Sequence, residues 1–136
     1  MAFSLDMKTI GYINLFENLT HSAVKDCFAE GESLVFIIDQ GQMGLAIGSH
    51  GANIKKASSV FKKDIKVYEF NPEPAEFVKN LLFPLKPKSV ERQDNVVVIK
   101  AADAVEKGKV FGREKTNLHR IQEIVKKYFE VEVKVE

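Results

Sequence analysis

Apolar residues along this chain follow two rhythms, helical and strand-like, in an order that occurs twice. Over residues 6–19, Ile10, Ile13 and Phe16 fall on or near one face of a helix, which predicts an amphipathic segment. Residues 23–30 and 33–39 read as strands about a Gly31-Glu32 turn. The unbroken run from Leu34 to Ile38 predicts a strand buried on both faces or central in its sheet. One or two helical turns follow over 42–47, then a longer helix over 51–61 and a closing strand over 65–70. The second pass predicts a helix over 74–83, strands over 85–91 and 95–100, helices over 101–108 and 116–128, and a last strand over 131–135. Pro74 suits a helix start, because the N–H it lacks is one the first turn leaves unpaired anyway.

The two passes align residue by residue. At a spacing of 64, Ile47-Gly48-Ser49-His50-Gly51-Ala52-Asn53-Ile54 lies over Phe111-Gly112-Arg113-Glu114-Lys115-Thr116-Asn117-Leu118, which puts Gly48 on Gly112 and Asn53 on Asn117. The helical stripe keeps phase as well, Ile54, Ala57 and Phe61 falling on Leu118, Ile121 and Val125, so an internal duplication explains both identity and register. Val67 then falls on Val131, and upstream a spacing of 62 sets the Leu34 run over Val96 to Ile99. Only Asn71-Pro72-Glu73 separates the copies, a reach of roughly 10 Å that is too short for a flexible tether. The pattern therefore predicts two small domains, 1–70 and 71–136, packed side by side, since domains of about 65 residues are marginal alone.

Of 136 residues, 45% are hydrophobic and 29% charged, the balance of a globular protein. No apolar run approaches the ~20 residues of a membrane span and no signal-peptide core opens the chain, so cytoplasmic residence without membrane attachment is expected. Cys27 is the only cysteine, which rules out an internal disulfide and suits a small core residue. No metal-ligand or cofactor spacing occurs, and His50 has no serine, cysteine or carboxylate in a catalytic spacing, so neither a metal, a cofactor nor an enzyme is expected. His21 and His119 read as surface residues, and the tyrosines and phenylalanines as core builders.

Net charge is only +1, but the lysines are clustered. Between Gly48 and Lys66 five lysines face one aspartate, and between Lys107 and Lys127 seven basic residues face two glutamates. The first cluster follows a glycine-bearing loop between helices, and the second spans one. Glycines let another backbone approach closely, and the helix that follows offers N–H groups to an anion. Lys55 and Lys56, just after the loop at 48–51, are placed to meet phosphate, while Ile47, Ile54 and Val67 can floor an apolar groove. Single-stranded nucleic acid supplies both halves of that match. Gly41-Gln42-Met43-Gly44 has the same letters but directly follows a strand with no lysine near it, and it reads as a turn. A nucleotide-phosphate loop is disfavoured, because no Gly-Lys-Ser/Thr follows.

The segment Ile47 to Ile54 resembles the I-G-x-x-G-x-x-I core of a KH domain, and the helix, strand, strand order before it resembles the type II arrangement. A KH pair without a linker is similar to the archaeal NusA-like transcription factors. The resemblance implies an α+β protein of two tandem type II KH-like domains, each a three-stranded mixed sheet with helices on one face. It also implies single-stranded RNA binding in transcription elongation or termination, with the transcription machinery as a further partner. Ile47, Gly48, Ser49, His50, Gly51, Ile54, Lys55 and Lys56 would carry the first site, and Gly112, Arg113, Lys115 and Asn117 the second. Lys115 stands where the pattern has its second glycine, so the second loop would approach RNA less closely and rely on charge. The polymerase-binding and S1 domains of bacterial NusA proteins find no room in this chain, and direct polymerase contact is not carried over.

Two other readings follow from the same residues: a KH-pair factor of ribosome assembly, or a second domain that chiefly docks protein. Aspartate at both Gly48 and Gly51 is expected to spare the fold and remove RNA binding. If the two basic clusters together neutralise about four or five phosphates, the slope of log affinity against log salt is roughly −3. Filter binding of single-stranded RNA across a salt series is expected to show that slope flattened by about one unit when Lys55 and Lys56 are alanine. An unchanged slope would place the phosphate contacts elsewhere.

Overall fold

The computed structural model describes residues 7–136, so the expected helix start at Asp6 lies outside the described residues. Packing divides the chain into a unit ending at Phe70 and a unit beginning at Asn71. The first runs α1 (Met7–Thr20), β1 (Val24–Glu30), β2 (Ser33–Ile38), α2 (Met43–Ile47), α3 (Ala52–Phe61) and β3 (Ile65–Glu69). The second runs α4 (Pro74–Leu82), β4 (Ser89–Gln93), β5 (Val96–Lys100), α5 (Ala104–Phe111), α6 (Thr116–Lys126) and β6 (Glu132–Val135). In each unit the middle strand pairs antiparallel with the strand before it and parallel with the strand that closes the fold, giving the expected mixed three-stranded sheet.

β2 is central because every side chain in its apolar run needs cover. Leu34, Phe36 and Ile38 alternate onto one face, where they form a buried cluster with Phe16 of α1, Ala46 of α2, Ala57 of α3 and Ile65 of β3. The Phe16 and Phe36 rings stack at 4.2 Å, and Phe61 continues the aromatic chain from Phe36 to Tyr12. Helix α1 thus packs through Tyr12, Ile13, Phe16 and Leu19, whereas Ile10, expected on that face, is 41% exposed. Val35 and Ile37 take the opposite face of β2 and are fully buried there, as the two-sided pattern predicts. In the second unit Val97 and Ile99 share a face with Val90 and Val133 across the ladder, and α4 and α6 bury Phe77, Leu81, Leu118 and Ile121.

Two elements start three or more residues later than the sequence pattern places them, each for a local reason. β4 begins at Ser89 rather than at residue 85, because Pro84 and Pro87 fix φ and lack ladder donors, and the pairing with β5 ends at Ser89↔Lys100. α5 spans Ala104–Phe111 instead of 101–108. Asp103 caps it by accepting from Glu106 N at 2.8 Å, while Glu106 reaches back to Ala102 N at 2.8 Å, a reciprocal cap legible in the letters Asp-x-x-Glu. The strand alignment of the two copies also shifts. Both hairpins turn tightly, at Glu30↔Ser33 and Gln93↔Val96, so Ser33 corresponds to Val96 and the spacing is 63, not 62. That one-residue change exchanges the two faces of the strand. β3 and β6 differ more. Val67 pairs with Phe36 and Val135 with Ile99, so Val67 corresponds to Val135 rather than to Val131.

Among the described residues no helix is long and apolar enough to cross a membrane. Gly41 lies in the turn after β2, as read from the sequence, but Gly44 is already inside α2. Cys27 sits in the apolar cluster at 4% exposure, and burial, with Asp26 beside it, pushes its thiol from the ordinary 9.0 up to about 12. Since the folded thiol holds its proton above the pH where the unfolded thiol loses it, stability is intact below about pH 9 and declines as pH rises toward 12. Replacing Cys27 by alanine is expected to flatten that alkaline decline in pH-dependent urea unfolding, and the native thiol should resist alkylation until denaturant is added.

Candidate functional site

In each unit two helices meet at a loop built on the same backbone path. α2 ends at Ile47, and Gly48 leaves it with φ 77° and ψ 171°; α5 ends at Phe111, and Gly112 leaves it with φ 73° and ψ 176°. Neither glycine has room for a side chain. A Cβ on Gly48 would lie 2.8 Å from the backbone nitrogen of Asn53, and one on Gly112 would lie 2.6 Å from the Cβ of Asn117. These asparagines are the struts of the loop. Asn53 Nδ2 donates to Leu45 O at 2.7 Å, and Asn117 Nδ2 donates to Val110 O at 2.9 Å, each tying the second helix to the end of the first. The expected tolerance of aspartate at Gly48 is therefore corrected, because that substitution collides with the α3 backbone before it reaches any ligand.

Two left-handed residues then turn the chain into the next helix. They are His50 (φ 55°, ψ 29°) and Gly51 (φ 74°, ψ 17°) in the first loop, and Glu114 (φ 54°, ψ 33°) and Lys115 (φ 62°, ψ 18°) in the second. Gly51 has nothing within 4 Å of where a Cβ would sit, so its glycine relieves backbone strain and not crowding. Lys115 adopts the same turn at a cost of about 1 to 2 kcal/mol. The second loop thus keeps the shape of the first without its second glycine, and the side chain at 115 is exposed on its surface.

The surroundings of the two loops differ in charge and in texture. In the first, Ser49 and His50 are exposed, with Ser49 Oγ 3.1 Å from His50 Nδ1. The start of α3 has no acidic residue in its first turn and no side-chain cap, while Lys55 and Lys56 stand exposed. The positive end of the α3 dipole and two exposed lysines that follow it make this end of the helix favourable to an anion. Ile47 is 38% exposed, Ile54 is half-buried, and Val67 packs on the core from β3. Leu45, which the pattern of so short a helix could not single out, adds 48% exposed apolar surface on α2. In the second unit Phe111 occupies the place of Ile47, and Lys115 Nζ lies 5.7 Å from the centre of its ring. Arg113 is exposed beside it.

Not every residue of the basic clusters faces outward. Lys66 pairs with Glu30 at 3.0 Å. Arg120, which matches Lys56 in the repeat, donates to Asn117 Oδ1 at 2.9 Å and to Leu81 O at 3.3 Å. Asn117, expected at the RNA, has both ends of its amide engaged within the second unit. Among the described residues no group of three or more His, Cys, Asp or Glu side chains is arranged to hold a metal ion.

A KH domain family model matches residues 11–72. A probable transcription termination protein NusA of Methanocaldococcus jannaschii is 30% identical over 131 residues, covering 93% of this chain and 71% of that protein. The protein of the same name in Methanococcus vannielii is 34% identical over 90 residues, covering 66% of this chain and 52% of that one, so the match spans about half the relative's length. The crystal structure of APE1850 superposes with a TM-score of 0.78 at 29% identity, covering 96% of this chain and 99% of that one.

The two glycines of the first loop should respond differently to the same change. Gly48→Ala is expected to lower the thermal midpoint sharply, because the methyl group meets backbone, whereas Gly51→Ala should cost only the left-handed strain of about 1 to 2 kcal/mol. Lys115→Gly should raise stability slightly, as relief of strain outweighs the freedom regained by the unfolded chain. Circular dichroism melts of the three variants check the order.

Proposed function

Because the chain belongs to the archaeal NusA-like family of KH-domain proteins, we propose that it binds single-stranded RNA through the loop at 48–51 and serves transcription termination or elongation. The observation that carries this reading is the first loop. Gly48 lets α2 and α3 meet at backbone contact distance, Gly51 opens the turn, and Lys55 and Lys56 follow an α3 N-terminus whose first turn holds no acidic residue. A phosphodiester at that position accepts hydrogen bonds from the loop and charge from the lysines, while Ile47 and Ile54 offer apolar contact to bases beside it. Phosphate contacts of this kind hold the strand in register, and the apolar groove, which meets base faces, is where preference among sequences would arise.

Each of the two units is read as one KH-like domain, 1–70 and 71–136. Gly112, Arg113 and Lys115 form an auxiliary RNA surface in the second, with charge on side chains doing what the second glycine does in the first. The activity is that of a binding factor in the cytoplasm and involves no catalysis. The relatives' naming as probable transcription termination proteins supports transcription over ribosome assembly, and the transcription machinery is the implied protein partner.

Gly51→Asp is the clean probe of this reading. The position has open space around it, and aspartate tolerates the left-handed conformation better than most residues. The fold is expected to survive, as read by circular dichroism, while affinity for single-stranded RNA falls about tenfold or more because a carboxylate stands in the phosphate's path. Unchanged affinity in the folded variant would remove the first loop from RNA binding.

A further inference from the structure

The connection between the first helix and first strand is three residues in the first unit, His21 to Ala23, but six in the second, Phe83 to Lys88. The longer connection walls an open cleft of about 500 Å³ against the last turn of α4 and the start of β4. Its lining includes Lys79, Phe83, Lys86, Lys88 and Val90. Phe83 is 72% exposed, so its ring adds little to the stability of the fold. The loop that carries it is held in shape: Leu85 N donates to Leu82 O at 2.8 Å, and Pro84 and Pro87 each fix one backbone torsion.

Charge in the cleft has one dominant sign. No acidic residue falls between Glu76 and Glu91, a third basic stretch that the two larger clusters overshadow in the sequence. Lys79 pairs with Glu76 at 3.3 Å, but Lys86 and Lys88 are exposed and have no ion-pair partner among the described residues. Glu91 is the one acidic residue in the lining.

We propose that this cleft is a further single-stranded RNA site, distinct from both loops, in which a base stacks on Phe83 and the adjoining phosphates meet Lys86 and Lys88. A ring face beside point charges matches a nucleotide, since every base presents a π face and every linkage an anion. An extended acidic peptide is matched less well, because Pro84 and Pro87 have no N–H to offer its backbone. The site is separate from the loop at 48–51 and extends RNA contact to a part of the second domain with no counterpart in the first.

The chain contains no tryptophan, so Phe83→Trp installs a single fluorescent reporter in the cleft at an exposed position. A short oligoadenylate is expected to quench that fluorescence saturably, and Lys86→Ala with Lys88→Ala in the same background should weaken the apparent affinity about tenfold. No quenching, or quenching unaffected by loss of both lysines, would overturn the proposal. Equal quenching by polyglutamate would overturn it too, marking the cleft as a surface for acidic protein. The same titration with Lys55→Ala and Lys56→Ala present should still quench. That result keeps the cleft independent of the first loop, so failure of either site is told apart from failure of the other.

Discussion

A glycine pressed against an asparagine fixes the geometry on which both units depend. Gly48 and Gly112 each leave a helix with a positive φ, and the space where a side chain would begin is filled by Asn53 or Asn117. The asparagine amide then donates to a carbonyl in the last turn of the preceding helix, satisfying an acceptor that the helix end leaves open. The end of one helix is thereby tied to the start of the next by a hydrogen bond as well as by the loop between them. Everything proposed for the loop follows from that contact, including the uncovered start of α3 and the projection of Lys55 and Lys56.

The two copies have kept this clasp and changed almost everything around it. The consecutive left-handed residues survive in the second loop even though glutamate and lysine occupy them, which shows that the clasp and the packing of α6 hold the backbone there. Buried side chains of α6, from Leu118 to Val125, anchor the helix that the turn must enter. Once the path is held, the residue at 115 is free to vary in charge and bulk. Loop shape and loop chemistry have thus separated: a neutral, small-residue surface in one unit, and a cationic one beside an aromatic ring in the other.

Charge tells a similar story about context. A lysine or arginine in a cluster is equivalent to its neighbours in a sequence count, but Lys66 of β3 answers Glu30 of β1 across the central β2, and Arg120 is spent on Asn117 and a carbonyl of α4. Lys55 and Lys56 stand on the exposed side of α3, and Lys86 and Lys88 on a loop stiffened by prolines. The basic surface is therefore smaller than the clusters suggest around the loops, and larger at Phe83 to Lys88, where only two charges lie close in sequence.

The order of elements, the duplication, the central apolar strand and the paired loops were legible in the sequence, because each rests on local periodicity or on a residue type that only one backbone conformation favours. Gly48 and Gly112 announced the turn, Pro74 the start of α4, and Leu34 to Ile38 the buried strand. Strand register was not legible, since a spacing of 62 or 63 leaves the apolar content of Val96 to Ile99 unchanged and only the hairpin decides which face is inward. The start of α5 is marked by the capping pair Asp103 and Glu106, whereas apolar periodicity alone places it three residues early. The role of Asn53 and Asn117, the occupation of Arg120 and the cleft under Phe83 could come only from the tertiary structure. Each depends on which groups the fold brings within hydrogen-bond or van der Waals reach, and a chain of letters carries no distance between residues that are far apart along it.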